Sequence, residues 1–99
     1  MSRIPIDLEK IADFCRRWKI KEMSLFGSVL RDDFGPESDI DILVSFFEDA
    51  HWSLFDWVDM IEELKRITGR EVDLVERGAI RNPFRRQAIL ANNEIIYAA

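Results

Sequence analysis

Cysteine, histidine and tyrosine each occur once in 99 residues, beside four glycines and three prolines. A single cysteine cannot close an internal disulfide, so nothing argues for a secreted, cross-linked scaffold. One cysteine with one histidine also excludes a zinc finger or a thiolate metal cage. No run approaches the roughly 20 apolar residues that a membrane span requires. The stretch Met1-Ser2-Arg3-Ile4-Pro5-Ile6-Asp7 has no long apolar region and turns acidic at once, unlike a signal peptide. Cations are outnumbered, 14 Lys plus Arg against 19 Asp plus Glu, for a formal charge of −5. That balance is poor for gripping a phosphate backbone. The expectation is a soluble, cytoplasmic chain with neither a direct nucleic-acid partner nor a membrane partner.

What is present points to one ordinary domain. Hydrophobic residues make up 47% and charged residues 33% of the chain, which supplies enough apolar surface to offset the entropy of ordering. No repeat, low-complexity tract or linker divides it, so residues 1–99 are expected to form a single domain. Leu8, Ile11, Ala12, Cys15 and Trp18 recur at helical spacing, with Asp7 as the cap. Glu22 to Phe26 reads as a strand closed by Gly27. A short helical segment, Ser28-Val29-Leu30-Arg31, and turn chemistry at Phe34-Gly35-Pro36-Glu37-Ser38 follow. From Asp39 to Phe46 the residues alternate, with Ile40, Ile42, Val44 and Phe46 on one face and Asp39, Asp41, Leu43 and Ser45 on the other. Ser53 caps a second helix carrying Leu54, Trp57, Val58, Ile61, Leu64 and Thr68, which Gly69 stops. Glu71 to Val75 forms a third strand, with Asp73 opposite in facing to Val72 and Leu74. Asn82-Pro83 starts a third helix running to about Ala91, and Ile95-Ile96-Tyr97 forms a last short strand. The fold class is α+β, mixed α/β: a small mixed sheet flanked by helices in the order α-β-α-β-α-β-α, with that last strand appended.

Three acidic positions stand out. Asp39 and Asp41 are two apart in a strand, so both leave the same face, where they interrupt an apolar run. Asp73 does the same in the third strand. Neighbouring carboxylates repel, and a divalent cation removes that penalty. Mg²⁺ favours carboxylate oxygens and keeps substrate phosphates in its shell. Three carboxylates on neighbouring strands suit two such ions, the arrangement that clamps attacking and leaving oxygens in nucleotidyl transfer. A solvated strand face is the plain alternative for an isolated Asp-x-Asp. Gly27-Ser28 adds a strand–Gly–Ser–helix turn, which presents backbone N–H groups and a hydroxyl to an anion.

Gly27-Ser28, ten intervening residues, then Asp39-Ile40-Asp41 resembles the signature of the DNA-polymerase-beta-like nucleotidyltransferase superfamily. That match arises by chance in roughly one such chain per thousand. The fuller strings Leu25-Phe26-Gly27-Ser28-Val29-Leu30-Arg31 and Ser38-Asp39-Ile40-Asp41-Ile42-Leu43-Val44 resemble its minimal nucleotidyltransferase (MNT) branch. Arg70-Glu71-Val72-Asp73-Leu74-Val75 resembles that branch's third-carboxylate strand. The Asn82-Pro83 helix and Tyr97 fit its usual ending. One departure is Asp32, where many members have Gly after the Arg of the first motif.

The resemblance implies a nucleotidyltransferase fold and an enzyme that transfers a nucleotidyl group. Gly27 and Ser28 would hold the β- and γ-phosphates. Asp39 and Asp41 would ligate Mg²⁺, two ions in all. Asp73 would be the third carboxylate, holding the catalytic metal and helping to take the acceptor's proton. Arg31 would steady a carboxylate or a phosphate, or else be a surface residue. ATP would be the substrate. A stand-alone acidic MNT domain resembles the antitoxin of a HEPN/MNT toxin–antitoxin pair, which implies AMP transfer to a tyrosine hydroxyl of a HEPN-domain toxin. The alternatives are an antitoxin that neutralises by binding alone and a nucleotidyltransferase acting on a small molecule.

Other residues read more plainly. His51 has no evident partnered nucleophile and fits a loop role. Cys15, Trp18 and Trp57 fit core stripes. Phe46, Phe47, Trp52 and Phe55 read first as core packing, and otherwise as a partner patch. Arg77, Arg81, Arg85 and Arg86 read first as a solvated face, and otherwise as a contact to an acidic partner or to phosphates.

Overall fold

The computed structural model describes residues 6–27 and 39–99. Helix α1 (Leu8–Arg17) begins at Asp7, whose Oδ1 accepts from the Glu9 and Lys10 backbone N–H at 3.1 and 3.2 Å. Strand β1 (Ile20–Phe26) follows a turn in which Lys19 takes a left-handed φ of 55°. Strand β2 (Ile40–Phe46) returns antiparallel to β1. Helix α2 (Leu54–Thr68) opens on a capping box: Ser53 Oγ accepts from the Asp56 N–H, and Asp56 accepts from the Ser53 N–H. It closes on Gly69, which is left-handed at φ 72°. Strand β3 (Val72–Glu76) then pairs parallel to β2, a connection that needs a crossover of about a dozen residues or more, here α2. A 3-10 turn (Arg77–Ala79) leads to helix α3 (Pro83–Ala91), with Asn82 as its cap. Strand β4 (Asn93–Ala98) adds antiparallel to β1. The sheet order is β3-β2-β1-β4, so β3 and β4 are its edges.

The mixed α+β class and the alternation of β2 are as the sequence predicts. The predicted short helix at 28–31 and the turn at 34–38 lie outside the described residues. Ile40, Ile42 and Val44 are buried on one face against Ile11, Phe14 and Cys15 of α1 and Met60 and Leu64 of α2. Burying each such side chain contributes about 1.5–3 kcal/mol. The opposite face carries a smaller cluster: Phe26, Leu43, Ile80 and Ile89.

Several predicted core positions are corrected. Leu8, Leu54, Phe55, Val58 and Phe47 all stand out into solvent, whereas Phe46, Trp52, Trp18 and Trp57 do pack on the core. The reason is angular: the sheet accepts only a stripe of each helix, and Phe14 rather than Leu8 completes the stripe of α1.

A polar clamp ties α1 to α2 across their outer edge. The Arg17 guanidinium makes a two-pronged contact with the Glu63 carboxylate and also bonds Asp13 Oδ2 at 2.9 Å. Trp18 Nε1 donates to Glu63 Oε1 at 3.3 Å. The Arg17 hydrogen bond first, with the Trp18 N–H behind it, holds the Glu63 carboxyl below its ordinary value. A depressed carboxyl stabilises the fold above its unfolded pKa and loses that contribution as pH falls through the folded one. Glu63→Gln is therefore expected to lower stability at pH 7 by roughly 0.5–1 kcal/mol. Wild type and variant should converge as pH falls below about 4.3, the ordinary glutamate value. Urea denaturation at pH 7 and pH 3 checks this.

Candidate functional site

Four residues fall in one row across the sheet. Asn93 pairs with Phe26, Phe26 with Asp41, and Asp41 with Asp73. Residues paired across strands project from the same face, so Asp41 and Asp73 emerge side by side on strands about 4.8 Å apart. Asp39 stands immediately before β2, and the two-residue period returns it to that face. This is the face of the smaller cluster, since Leu43 and Phe26 belong to it. Asp39 and Asp73 are exposed and Asp41 is half-buried. Asp39 and Asp41 are each engaged by another group of the chain.

Gly27 follows Phe26, directly after β1 and beside Asp41. Its φ is 72°, in the left-handed region that favours glycine, and a Cβ there would run into Asp41 Oδ2 and lie 3.1 Å from Asp41 Cγ. The missing side chain is thus the space in which the Asp41 carboxylate sits. Ser28 and Arg31, the other two predicted nucleotide contacts, lie outside the described residues.

The donor set suits a hard cation. Among the described residues no three Asp, Glu, His or Cys side chains are gathered into a metal cage. The backbone register supplies the frame instead. Strands about 4.8 Å apart let two carboxylates meet one ion at about 2.0–2.1 Å by side-chain rotation, and all three donors are oxygens. Asp39, Asp41 and Asp73 therefore fit Mg²⁺ in chemistry and in facing.

Sequence reading missed one contributor. Asn93, expected in a turn, begins β4, and its Nδ2 donates to the Ile89 and Leu90 carbonyls at 3.2 and 2.8 Å. It pins the end of α3 to the row that holds Asp41. The only available signal was an asparagine just past a helix. The remaining candidates fall away from the row. His51 follows the far end of β2 and is exposed. Cys15 is buried in the main core, where burial pushes its thiol up to about 12 and leaves it un-ionised. Arg77 faces Glu22 at 3.7 Å, and Arg86 Nη1 donates to the Arg77 carbonyl at 3.0 Å, while Arg81 and Arg85 are exposed.

The chain belongs to the nucleotidyltransferase domain family, whose model matches residues 8–96. It is 38% identical over 81 residues to a candidate protein adenylyltransferase of Methanocaldococcus jannaschii, covering 82% of this chain and 79% of that one. Protein adenylyltransferase MntA of Thermococcus cleftensis is 31% identical over 81 residues, covering 82% and 77%. The fold resembles a chain in the structure of a tri-AMPylated Shewanella oneidensis HEPN toxin with its MNT antitoxin. The TM-score is 0.66 at 20% identity, over 93% of this chain and 70% of that one.

The contact between Gly27 and Asp41 is testable without any ligand. Gly27→Ala is expected to cost about 1–2 kcal/mol from the left-handed backbone alone, plus the collision with the carboxylate. In an Asp41→Ala background the collision is gone, and the penalty should fall to the backbone part. A double-mutant cycle by urea denaturation measures the difference.

Proposed function

We propose that the chain is an antitoxin that transfers AMP from ATP to a tyrosine hydroxyl of a partner HEPN-domain toxin. One observation carries the reading. The parallel register sets Asp73 beside Asp41, with Asp39 two residues before it and Gly27 cleared of side chain against it. The kinship with protein adenylyltransferases and the likeness to an MNT antitoxin found with its AMPylated toxin support the acceptor class.

In this reading Asp39 and Asp41 hold Mg²⁺ with the triphosphate, and Asp73 completes the carboxylate set. Bound Mg²⁺ neutralises charge on the phosphates and on the leaving group. Gly27 and Ser28 bind the β- and γ-phosphates. Asp73 orients the acceptor hydroxyl and accepts its proton. The acceptor oxygen bonds to the α-phosphorus, the bond from that phosphorus to the bridging oxygen breaks, and pyrophosphate leaves. Catalysis here is positioning plus charge stabilisation, with no covalent step on the enzyme.

Incubation with α-labelled ATP, Mg²⁺ and the partner HEPN-domain toxin should label that protein. Asp39→Asn with Asp41→Asn is expected to reduce labelling by about 10²-fold or more while leaving the circular dichroism spectrum unchanged. Undiminished labelling by that variant would remove the site assignment. Full neutralisation of toxicity by the unlabelling variant would favour an antitoxin that acts by binding alone.

A further inference from the structure

The face of α2 that the sheet does not accept is not an ordinary solvated helix face. Leu54 is 75% exposed, Phe55 82% and Val58 48%, and Phe47, in the loop leading to α2, is 42% exposed. Leu54 and Val58 are one turn apart and Phe55 lies beside them, so the three form one surface. Phe47 joins it through an open hollow of about 750 Å³ that Leu54 also lines. Large apolar groups clustered on a surface mark an interaction site.

The segment that carries this surface is acidic, and cations from flanking elements meet only part of its charge. Residues 47–63 contain six Asp and Glu and no Lys or Arg. Lys19 meets Asp49 at 3.2 Å, Lys65 reaches Glu62 at 3.7 Å, and Arg17 holds Glu63. Asp56 serves the helix cap. Glu48 and Asp59 meet no cation among the described residues. The hollow has the same character, with aromatic walls from Phe46, Trp52 and Trp57 and a carboxylate from Glu76. Aromatic faces beside a carboxylate suit a guanidinium or ammonium group.

We infer that the outer face of α2, with the hollow at its N-terminal end, docks a protein partner through a surface that is apolar at its centre and cationic at its rim. The complementary charge favours encounter and fixes orientation. A second copy laid face to face would set two acidic rims against each other. Anionic lipid would be repelled in the same way. The surface borders the far end of β2 from Asp41, so it holds the partner without occupying the carboxylate row. The inference takes from the proposed function only that the partner is the HEPN-domain protein.

Titration calorimetry between the full chain and that protein tests it. Phe55→Asp is expected to raise Kd tenfold or more. Glu48→Lys with Asp59→Lys should weaken binding about tenfold at 50 mM NaCl and much less at 500 mM, because salt screens the rim. Both variants should bind Mg²⁺-ATP as wild type does. Phe84→Asp with Arg85→Glu, on the exposed basic face of α3, should leave Kd within twofold. The inference is overturned if the two α2 variants stay within twofold, if only the α3 variant disrupts the complex, or if the wild type binds no HEPN protein. It is also overturned if the chain self-associates through Phe55 in light scattering. Labelling that persists with unchanged Kd removes the docking surface alone. A complex broken by Phe55→Asp with no labelling at all removes the transferase reading alone.

Discussion

The parallel pairing of β2 with β3 sets where every acidic group of the candidate site stands. Asp41 and Asp73 are 32 positions apart in sequence, and their meeting depends on α2 carrying the chain back to start β3 in step with β2. A slip of one residue would turn Asp73 to the other face and bring Val72 or Leu74 round in its place. That slip is opposed on the buried side: Leu74 packs with Ile42, Met60 and Leu64 in the main cluster. The apolar core on one face thus enforces the carboxylate geometry on the other.

The two faces of the sheet divide the work. One is sealed by α1 and α2 over the larger cluster. The other is covered only in part by α3, which packs on Phe26 and Leu43. The ends of β2 and β3 beyond that cover hold the aspartates where water or a ligand can solvate them. Charges there avoid the desolvation that would make them untenable beneath a helix. Gly27 extends the same economy by leaving the Asp41 carboxylate a place that a side chain would take.

The surfaces are divided as well. The basic residues of the C-terminal part gather around α3, where Arg77 and Arg86 are tied into the fold, whereas α2 and the loop before it are acidic with apolar groups showing. Such an arrangement gives the protein two opposite signs at separate places.

Much was legible in the chain because local rules leave few choices. Asp7, Ser53, Gly69 and Asn82 mark helix ends through hydrogen bonds and backbone angles made within a few residues. The alternation from Ile40 to Phe46 fixes which side chains share a face. The family signature rests on Gly27, Ser28, Asp39 and Asp41, which are near one another in sequence. Other features depend on partners that the chain alone does not name. Helical spacing could not separate Ile11 and Phe14, which meet the sheet, from Leu8 and Phe55, which face water, because several helix faces were apolar enough to qualify. The pairing of Asp73 with Asp41, the seat that Gly27 leaves for a carboxylate, the lock of Asn93 on α3 and the Arg17–Glu63 clamp were set only when distant strands and helices came into register. Local hydrogen bonding and periodicity specify elements and facings, whereas contact across the sheet is a property of the packed whole.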